Sequence, residues 1–419
     1  MEVYKFGGAS VQDAAAVRNV IAILKENNTK PKVVVVSAMG KTTNALEQVV
    51  QSYIHHKEEW RTQLSEITHQ HETVWKDLSS QKLPEIFTLH VNRVQHFLES
   101  TNDSGYTFLY DQVVSLGEFL STALLSAYAE ECGVANVLTD ARDFIYTDNA
   151  WTEGKIIWDK TEKSISTGIP ALTEKGIVIV QGFIGQTTDG HITTLGREGS
   201  DYTASVFAFS LKAEKMTIWK DVIGVMNADP KSFPDAVWIP ELTYHEAIEM
   251  TYYGAKVIHP KTIQPIQNRS IPLEVRSFID YKHKGTMIMA NANTLFMPPV
   301  IVFKSKQVLL SFSTKDFAFI AEDQLQDIFG AFAGLRLHMN MMQNAAISFS
   351  VCVDDKKEKI DRIIESLENR FVISRFENLE LITVRHYHET LIHKLTEGKE
   401  VLLEQISRNN WQILLRHFS

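Results

Sequence analysis

Over the first 290 or so residues, short β-branched runs alternate with amphipathic helices. That alternation predicts an α/β fold with a mainly parallel sheet and helices on both faces. After about residue 293 the elements become shorter and run in the order β-α-β-β-α-β. This predicts a C-terminal α+β ferredoxin-like domain. A length of 419 residues also exceeds what one core usually fills, so two domains are expected, 1–292 and 300–419. Met297-Pro298-Pro299 reads as the linker between them.

Each element has a local reason. Val3–Phe6 is a short strand that runs into Gly7-Gly8, and 14–25 is a helix with Val17, Val20 and Ile21 on one side. The continuous apolar runs at 33–37, 177–181 and 216–219 are strands covered on both faces. The stretch from 44 to 100 is helical and polar, with an interruption at Pro84. One apolar helix is expected from 107 to 130, and another over 202–211 after a cap at Ser200 or Asp201. Thr243 and Glu246 form a capping-box pattern for a helix that Gly254 closes. In the tail, strands are expected at 307–313, 335–342, 346–353 and 371–376, with helices at 322–332 and 356–368. Then 379–385, 400–406 and 411–417 read as strand, helix and strand, so the tail holds about one and a half units.

Composition excludes several classes. A net charge of −9 argues against a broad nucleic-acid surface. No apolar run is long enough to span a membrane, and the first residues lack a signal-peptide pattern. Cys132 and Cys352 lie far apart, which excludes a disulfide scaffold or zinc ribbon and fits a reducing cytoplasm. Both read as small core residues. The fifteen histidines do not have metal-site spacing.

Six segments carry chemistry. Lys5-Phe6-Gly7-Gly8-Ala9 closes the first strand; paired glycines let backbone N–H groups approach an anion, and Lys5 supplies a point charge. Ser37 to Asn44 contains Gly40-Lys41-Thr42, but Val35 stands where a P-loop needs its first glycine. The small and hydroxylated residues there, Ser37 and Thr43 among them, suit a polar ligand at the carboxyl edge of a sheet. Glu118 is the only charge between Asp111 and Glu130, and a carboxylate in so apolar a helix calls for a cation. Arg197, between Gly196 and Gly199, is placed to grip a carboxylate. The turn after the 216–219 strand, with Lys220, Asp221, Met226, Asp229 and Lys231, is placed to meet a nucleotide, and Lys256 to reach a phosphate.

Together, in this order, the six segments resemble the aspartate kinase family of the amino acid kinase superfamily, from Lys5 to about Thr286. The resemblance implies an amino acid kinase fold for 1–292. It implies an ACT-like regulatory and dimerisation region for 300–419, one full unit and a partial second. It implies ATP-dependent phosphorylation of the L-aspartate side chain to 4-phospho-L-aspartate, the first step toward lysine, threonine, methionine and diaminopimelate. Magnesium accompanies ATP. By resemblance Lys5 and Asp201 are catalytic, Glu118 holds the substrate ammonium and Arg197 its α-carboxylate. Ser37, Thr43 and Ser200 line the substrate pocket; Lys5, Gly7, Gly8 and Ala9 attend the phosphates. Lys220, Asp221, Met226, Lys231, Lys256 and Val257 fall at nucleotide positions, and no protein-borne metal site is implied. L-Aspartate and ATP are the implied partners, with a homodimer or larger homo-oligomer formed through the C-terminal region, in the cytoplasm.

The chain departs from the commonest family pattern at Ala9, Glu198, Lys220 and Lys231, where Thr, Gly, Thr and Arg are usual. The tail has Gln343-Asn344-Ala345 where a Thr-Ser-Glu stretch is common, and 311–322 has no glycine. The intact set Lys5, Glu118, Arg197 and Asp201 favours an active enzyme. The altered loops favour, as the alternative, an amino-acid sensor on the same fold.

Overall fold

A computed structural model describes residues 1–26, 30–55, 58–101, 105–255, 258–292, 297–316 and 318–417. Two compact units emerge. The first comprises Met1–Val225, Trp238–Ile248 and Ile258–Thr294; the second comprises Met226–Val237, Glu249–Val257 and Leu295–Ser419. The second unit therefore takes up two excursions from the first 292 residues.

The first unit is built on an eight-stranded sheet. Its spatial order is Glu241–Thr243, Thr286–Met289, Leu273–Ser277, Lys215–Lys220, Glu2–Phe6, Lys32–Val36, Ile177–Gln181, Asn136–Thr139. All neighbours are parallel except Leu273–Ser277 with Thr286–Met289. Lys32–Val36 and Ile177–Gln181 are buried at every position, as their continuous apolar runs require. Glu2–Phe6 is central, so whatever leaves its carboxyl end lies in the middle of the sheet's edge. The polar stretch from 44 to 100 forms three helices, Thr42–His55, Glu59–Leu78 and Glu85–Ser100. The helix Tyr244–Tyr253 starts where Thr243 Oγ1 accepts the N–H of Glu246 at 3.1 Å.

Two expectations in this unit need correction. The apolar helix of 107–130 is two helices, Tyr106–Val114 and Leu116–Glu131. The Ser115 hydroxyl bonds back to the Gln112 carbonyl at 3.0 Å, a local alternative to helix continuation. Neither Ser200 nor Asp201 caps the next helix. Gly199–Ser210 already contains both in its first turn, and Glu198 stands at the cap in a left-handed conformation.

The second unit carries a six-stranded antiparallel sheet in the order Met339–Asn344, Ser348–Asp354, Val300–Thr314, Phe371–Arg385, Asn410–His417, Lys399–Ile406. The first four strands, with helices Glu322–Gly334 and Lys357–Leu367, have the order expected of a ferredoxin-like unit. Ile360, Ile363 and Leu367 pack with Phe312, Phe332 and Val351 in its core. The segments 371–376 and 379–385, expected to be separate, are one strand that continues past Asn378, whose φ is +57°. Val300–Thr314 likewise runs seven residues further toward the N-terminus than expected. The helix expected at 400–406 is a strand, paired with Asn410–His417 through Ser407 N–H to Asn410 O at 2.9 Å. The helix lies earlier, at Glu389–Thr396, where His388 Nδ1 accepts the Leu391 N–H. Val401, Leu402, Leu403 and Ile406 are the apolar residues of this segment, a spacing that fits either period, and pairing with a neighbouring strand decides it. Cys352 is fully buried in this sheet, while Cys132 is partly exposed at a helix end.

Arg385 holds the Glu249–Val257 excursion to this sheet. It is 2% exposed, donates to Glu249 Oε2 at 2.7 Å and to Asn410 Oδ1 at 2.6 Å. Asn410 in turn donates to the Tyr253 hydroxyl at 3.0 Å. Replacing Arg385 with Leu removes a buried cation from a partly exposed carboxylate, at an expected cost of about 2–3 kcal/mol. Hydrogen exchange along Phe371–Arg385 checks this, and a loss of protection below about 0.5 kcal/mol counts against it.

Candidate active site

Five neighbouring parallel strands end side by side and then turn into loops: Glu2–Phe6, Lys32–Val36, Ile177–Gln181, Lys215–Lys220 and Leu273–Ser277. Residues just beyond all five line one cavity of about 700 Å³ in the first unit. The floor is set by close backbone approaches. Ser37 N–H donates to Phe6 O at 3.1 Å and Gly40 N–H to Gly8 O at 3.0 Å, which clips the first two loops together. A β-carbon on Gly8 would lie 2.9 Å from both the Ala38 and Gly40 carbonyl oxygens, so this position admits only glycine. After it, Gly8–Val11 forms a single 3₁₀ turn before the helix Ala14–Glu26 begins.

Lys5 and Asp201 meet at this floor. Lys5 Nζ lies 2.6 Å from Asp201 Oδ1, and both side chains are nearly buried. Asp201 comes from the first turn of Gly199–Ser210.

Glu118 forms one wall. Gly117 lets its helix press onto the second loop: a β-carbon there would be 2.8 Å from that of Ala38. The Ser121 hydroxyl adds a bond to Ser37 O at 2.7 Å. Glu118 is 2% exposed; its Oε1 accepts the Ala38 N–H at 3.3 Å, and its Oε2 has no hydrogen-bond partner among the described residues. Burial pushes its carboxyl up to about 8, and the Ala38 N–H bond, its own backbone N–H and, least, Lys5 offset this only in part. The wall therefore has a seat for a cation.

Arg197 is exposed on the rim and makes no ion pair among the described residues. The turn that carries it is closed by Gly199 N–H to Gly196 O at 3.0 Å, with Gly196 at φ +74°. The segment with Thr152 and Glu153, which also lines the cavity, is held by Asp111. That carboxylate accepts the Thr152 N–H at 3.0 Å and the Thr194 hydroxyl at 2.6 Å, and burial raises it to about 6.

The cavity thus brings together Lys5, Gly7, Gly8, Ala9, Ser37, Thr43, Glu118, Arg197, Ser200, Asp201, Lys220 and Asp221. Met226 and Lys231 belong to the second unit. Lys256 and Val257 lie outside the described residues. Sequence reasoning missed Tyr110, Thr152, Glu153, Phe183, Trp219 and Phe278, which also line the cavity. Phe183 follows closely on the carboxyl end of the 177–181 strand, a signal that was available from that strand assignment, whereas Phe278 follows Leu273–Ser277, a strand the sequence reading did not assign. Tyr110 had none. Burial, with Glu47 adding to it, pushes its phenol up to about 12, so it is a neutral O–H at pH 7.

Among the described residues no three carboxylate, histidine or cysteine groups converge as a metal site, and no helix is long and apolar enough to cross a membrane.

The chain matches the family model described as the amino acid kinase family over residues 1–277. It is 32% identical over 372 residues to the aspartokinase of Chlamydia trachomatis, covering 87% of this chain and 82% of that protein. A bifunctional chloroplast aspartokinase/homoserine dehydrogenase of Arabidopsis thaliana is 29% identical over 392 residues; the match takes in 88% of this chain but 42% of that longer protein. The crystal structure of E. coli aspartokinase III in complex with lysine and aspartate superimposes with a TM-score of 0.84 at 25% identity, covering 99% of this chain and 95% of that one. The mainly parallel sheet and the antiparallel C-terminal sheet are thus the two halves of an aspartokinase fold, the second resembling its ACT-like regulatory region. On this evidence the chain belongs to the amino acid kinase family and, within it, to the aspartokinases, a family of phosphotransferases.

Proposed function

We propose that this protein transfers the γ-phosphoryl group of ATP to the side-chain carboxylate of L-aspartate, giving 4-phospho-L-aspartate and ADP. The product is the first activated intermediate on the way to lysine, threonine, methionine and diaminopimelate. The observation that carries the reading is Glu118, a buried carboxylate without a cation, in one cavity with Arg197 and Lys5. An amino acid supplies what these groups lack. Its ammonium fills the seat at Glu118, its α-carboxylate meets the guanidinium of Arg197, and Ser37, Thr43 and Ser200 border the space between.

The chemistry then needs little proton transfer. The acceptor carboxylate is already ionised at neutral pH, so no general base has to act on it. The obstacle is the approach of one anion to another, and its solution is position and positive charge. Lys5 supplies the charge at the floor, with Gly7, Gly8 and Ala9 offering a backbone that phosphate oxygens can approach closely. Asp201 holds the Lys5 ammonium in place. In this reading Lys220 and Asp221, which border the cavity, meet the nucleotide, and the family resemblance adds Met226, Lys231, Lys256 and Val257. Magnesium fits as an ion that arrives on the nucleotide phosphates, with Asp221 and Asp201 the cavity carboxylates that would hold it. When bound, it neutralises charge on the transferring group. The antiparallel sheet of the second unit serves as the surface for pairing into a homodimer or larger assembly, and the kinase domain ends near residue 292.

Wild-type protein with magnesium, ATP and L-aspartate is expected to release ADP in a coupled assay, and folded protein without turnover above background would sink the reading. Glu118→Gln is expected to lower kcat/KM for aspartate about 100-fold while leaving ATP affinity intact, because the ammonium loses its counter-charge. Equal loss of both affinities would argue against the assignment. Aspartate binding should also depend on pH. The free Glu118 carboxyl is largely protonated below about 8 and must ionise to meet an ammonium. Affinity is therefore expected to rise about tenfold per pH unit from 6 toward 8 and to level off above that. Calorimetry in buffers of different ionisation heat should find close to one proton released per aspartate at pH 7, and none in Glu118→Gln.

A further inference from the structure

Glu198 sits between Arg197 and Gly199 with φ +53° and ψ +30°, a left-handed backbone that a β-carbon disfavours. Glycine would occupy it without strain, so the side chain must return something. Its carboxylate does not pair with the adjacent Arg197. It reaches across to accept the backbone N–H of His259 at 3.1 Å. His259 is the cap of the helix Pro260–Asn268, and its Nδ1 accepts the Lys261 N–H at 3.2 Å. The same helix start is tied to the same loop a second time: Lys261 Nζ donates to Leu195 O at 2.8 Å and lies 4.6 Å from the Tyr202 ring centre. A negative side chain at a helix N-terminus is favourably placed. So engaged, it leaves Arg197 on the cavity rim without an ion pair among the described residues.

We propose that Glu198 is a positioning residue, a latch that fixes the Arg197 loop to the start of the Pro260–Asn268 helix and leaves Arg197 open for a substrate carboxylate. What the loop grips rests on the aspartate kinase reading above; the latch itself does not. Two substitutions separate the effects. Glu198→Gln keeps an acceptor of the same reach. Glu198→Asn accepts the left-handed backbone but is one carbon too short to reach His259.

The experiment is hydrogen exchange at His259 together with steady-state kinetics on the full chain. In Glu198→Asn the His259 amide is expected to exchange about fivefold faster than in wild type, with protection recovered in Glu198→Gln. In the same variant the KM for aspartate is expected to rise about 3- to 10-fold, with kcat and the KM for ATP changed less than about twofold, and Glu198→Gln is expected to recover most of the affinity. Unchanged exchange in Glu198→Asn overturns the latch. So does an equal change of aspartate KM in both variants, which would mark the charge rather than the contact as the cause. If wild type shows no turnover, the kinase reading fails while the exchange measurement still decides the latch.

Discussion

Glu118 is carried into the cavity wall by a helix that packs against the side chains of Ala38 and Thr42, and that approach depends on Gly117 having no side chain. Much of the site follows from this one juxtaposition. It brings the carboxylate to the Ala38 N–H, fixes the second loop through Ser121 and Ser37, and through Gly40 and Gly8 fixes the first loop as well. An ionised carboxylate so buried, with one long hydrogen bond, is expensive, and burial raises Glu118 to about 8, so that its neutral form prevails at pH 7. The cavity is thus arranged around an unmet charge requirement.

The electrostatics are local. The whole chain carries a net charge of −9, yet one cavity gathers Lys5, Arg197 and Lys220. Lys5 is steadied by Asp201, and Arg197 is left unengaged by its acidic neighbour Glu198. Each cation has a different degree of constraint. The buried pair at the floor is rigid, whereas the rim arginine depends on how its loop is tethered.

Much of this was legible in the sequence, for a physical reason. Strand-end glycines, a lone acid in an apolar helix and an arginine between glycines are all departures from what mere packing would select. They flagged Gly7, Gly8, Glu118 and Arg197, and the parallel strands brought them to one edge. What escaped was set by long-range pairing. Tyr110 and Thr152 reach the cavity only because Asp111 ties their segments together across the chain. The segment 400–406 reads as a helix because its apolar spacing is compatible with both periods, and only its partner strand decides. The break at Ser115 and the start of the helix at Gly199 turn on single side-chain and backbone choices that apolar periodicity does not record.

The two 15-residue strands of the second unit, Val300–Thr314 and Phe371–Arg385, pair along nearly their whole length and serve both halves of its sheet. On one side they meet Ser348–Asp354, on the other Asn410–His417. The pair breaks register between Lys304 and Leu309, where Lys306 and Asn378 adopt left-handed backbones with φ of +54° and +57°. A bulge of this kind concentrates twist at one place instead of spreading it evenly along the strands. The Ser348–Asp354 side and the Asn410–His417 side therefore meet at that break. The second unit is thus one continuous six-stranded sheet with a break in register at the seam of its two halves.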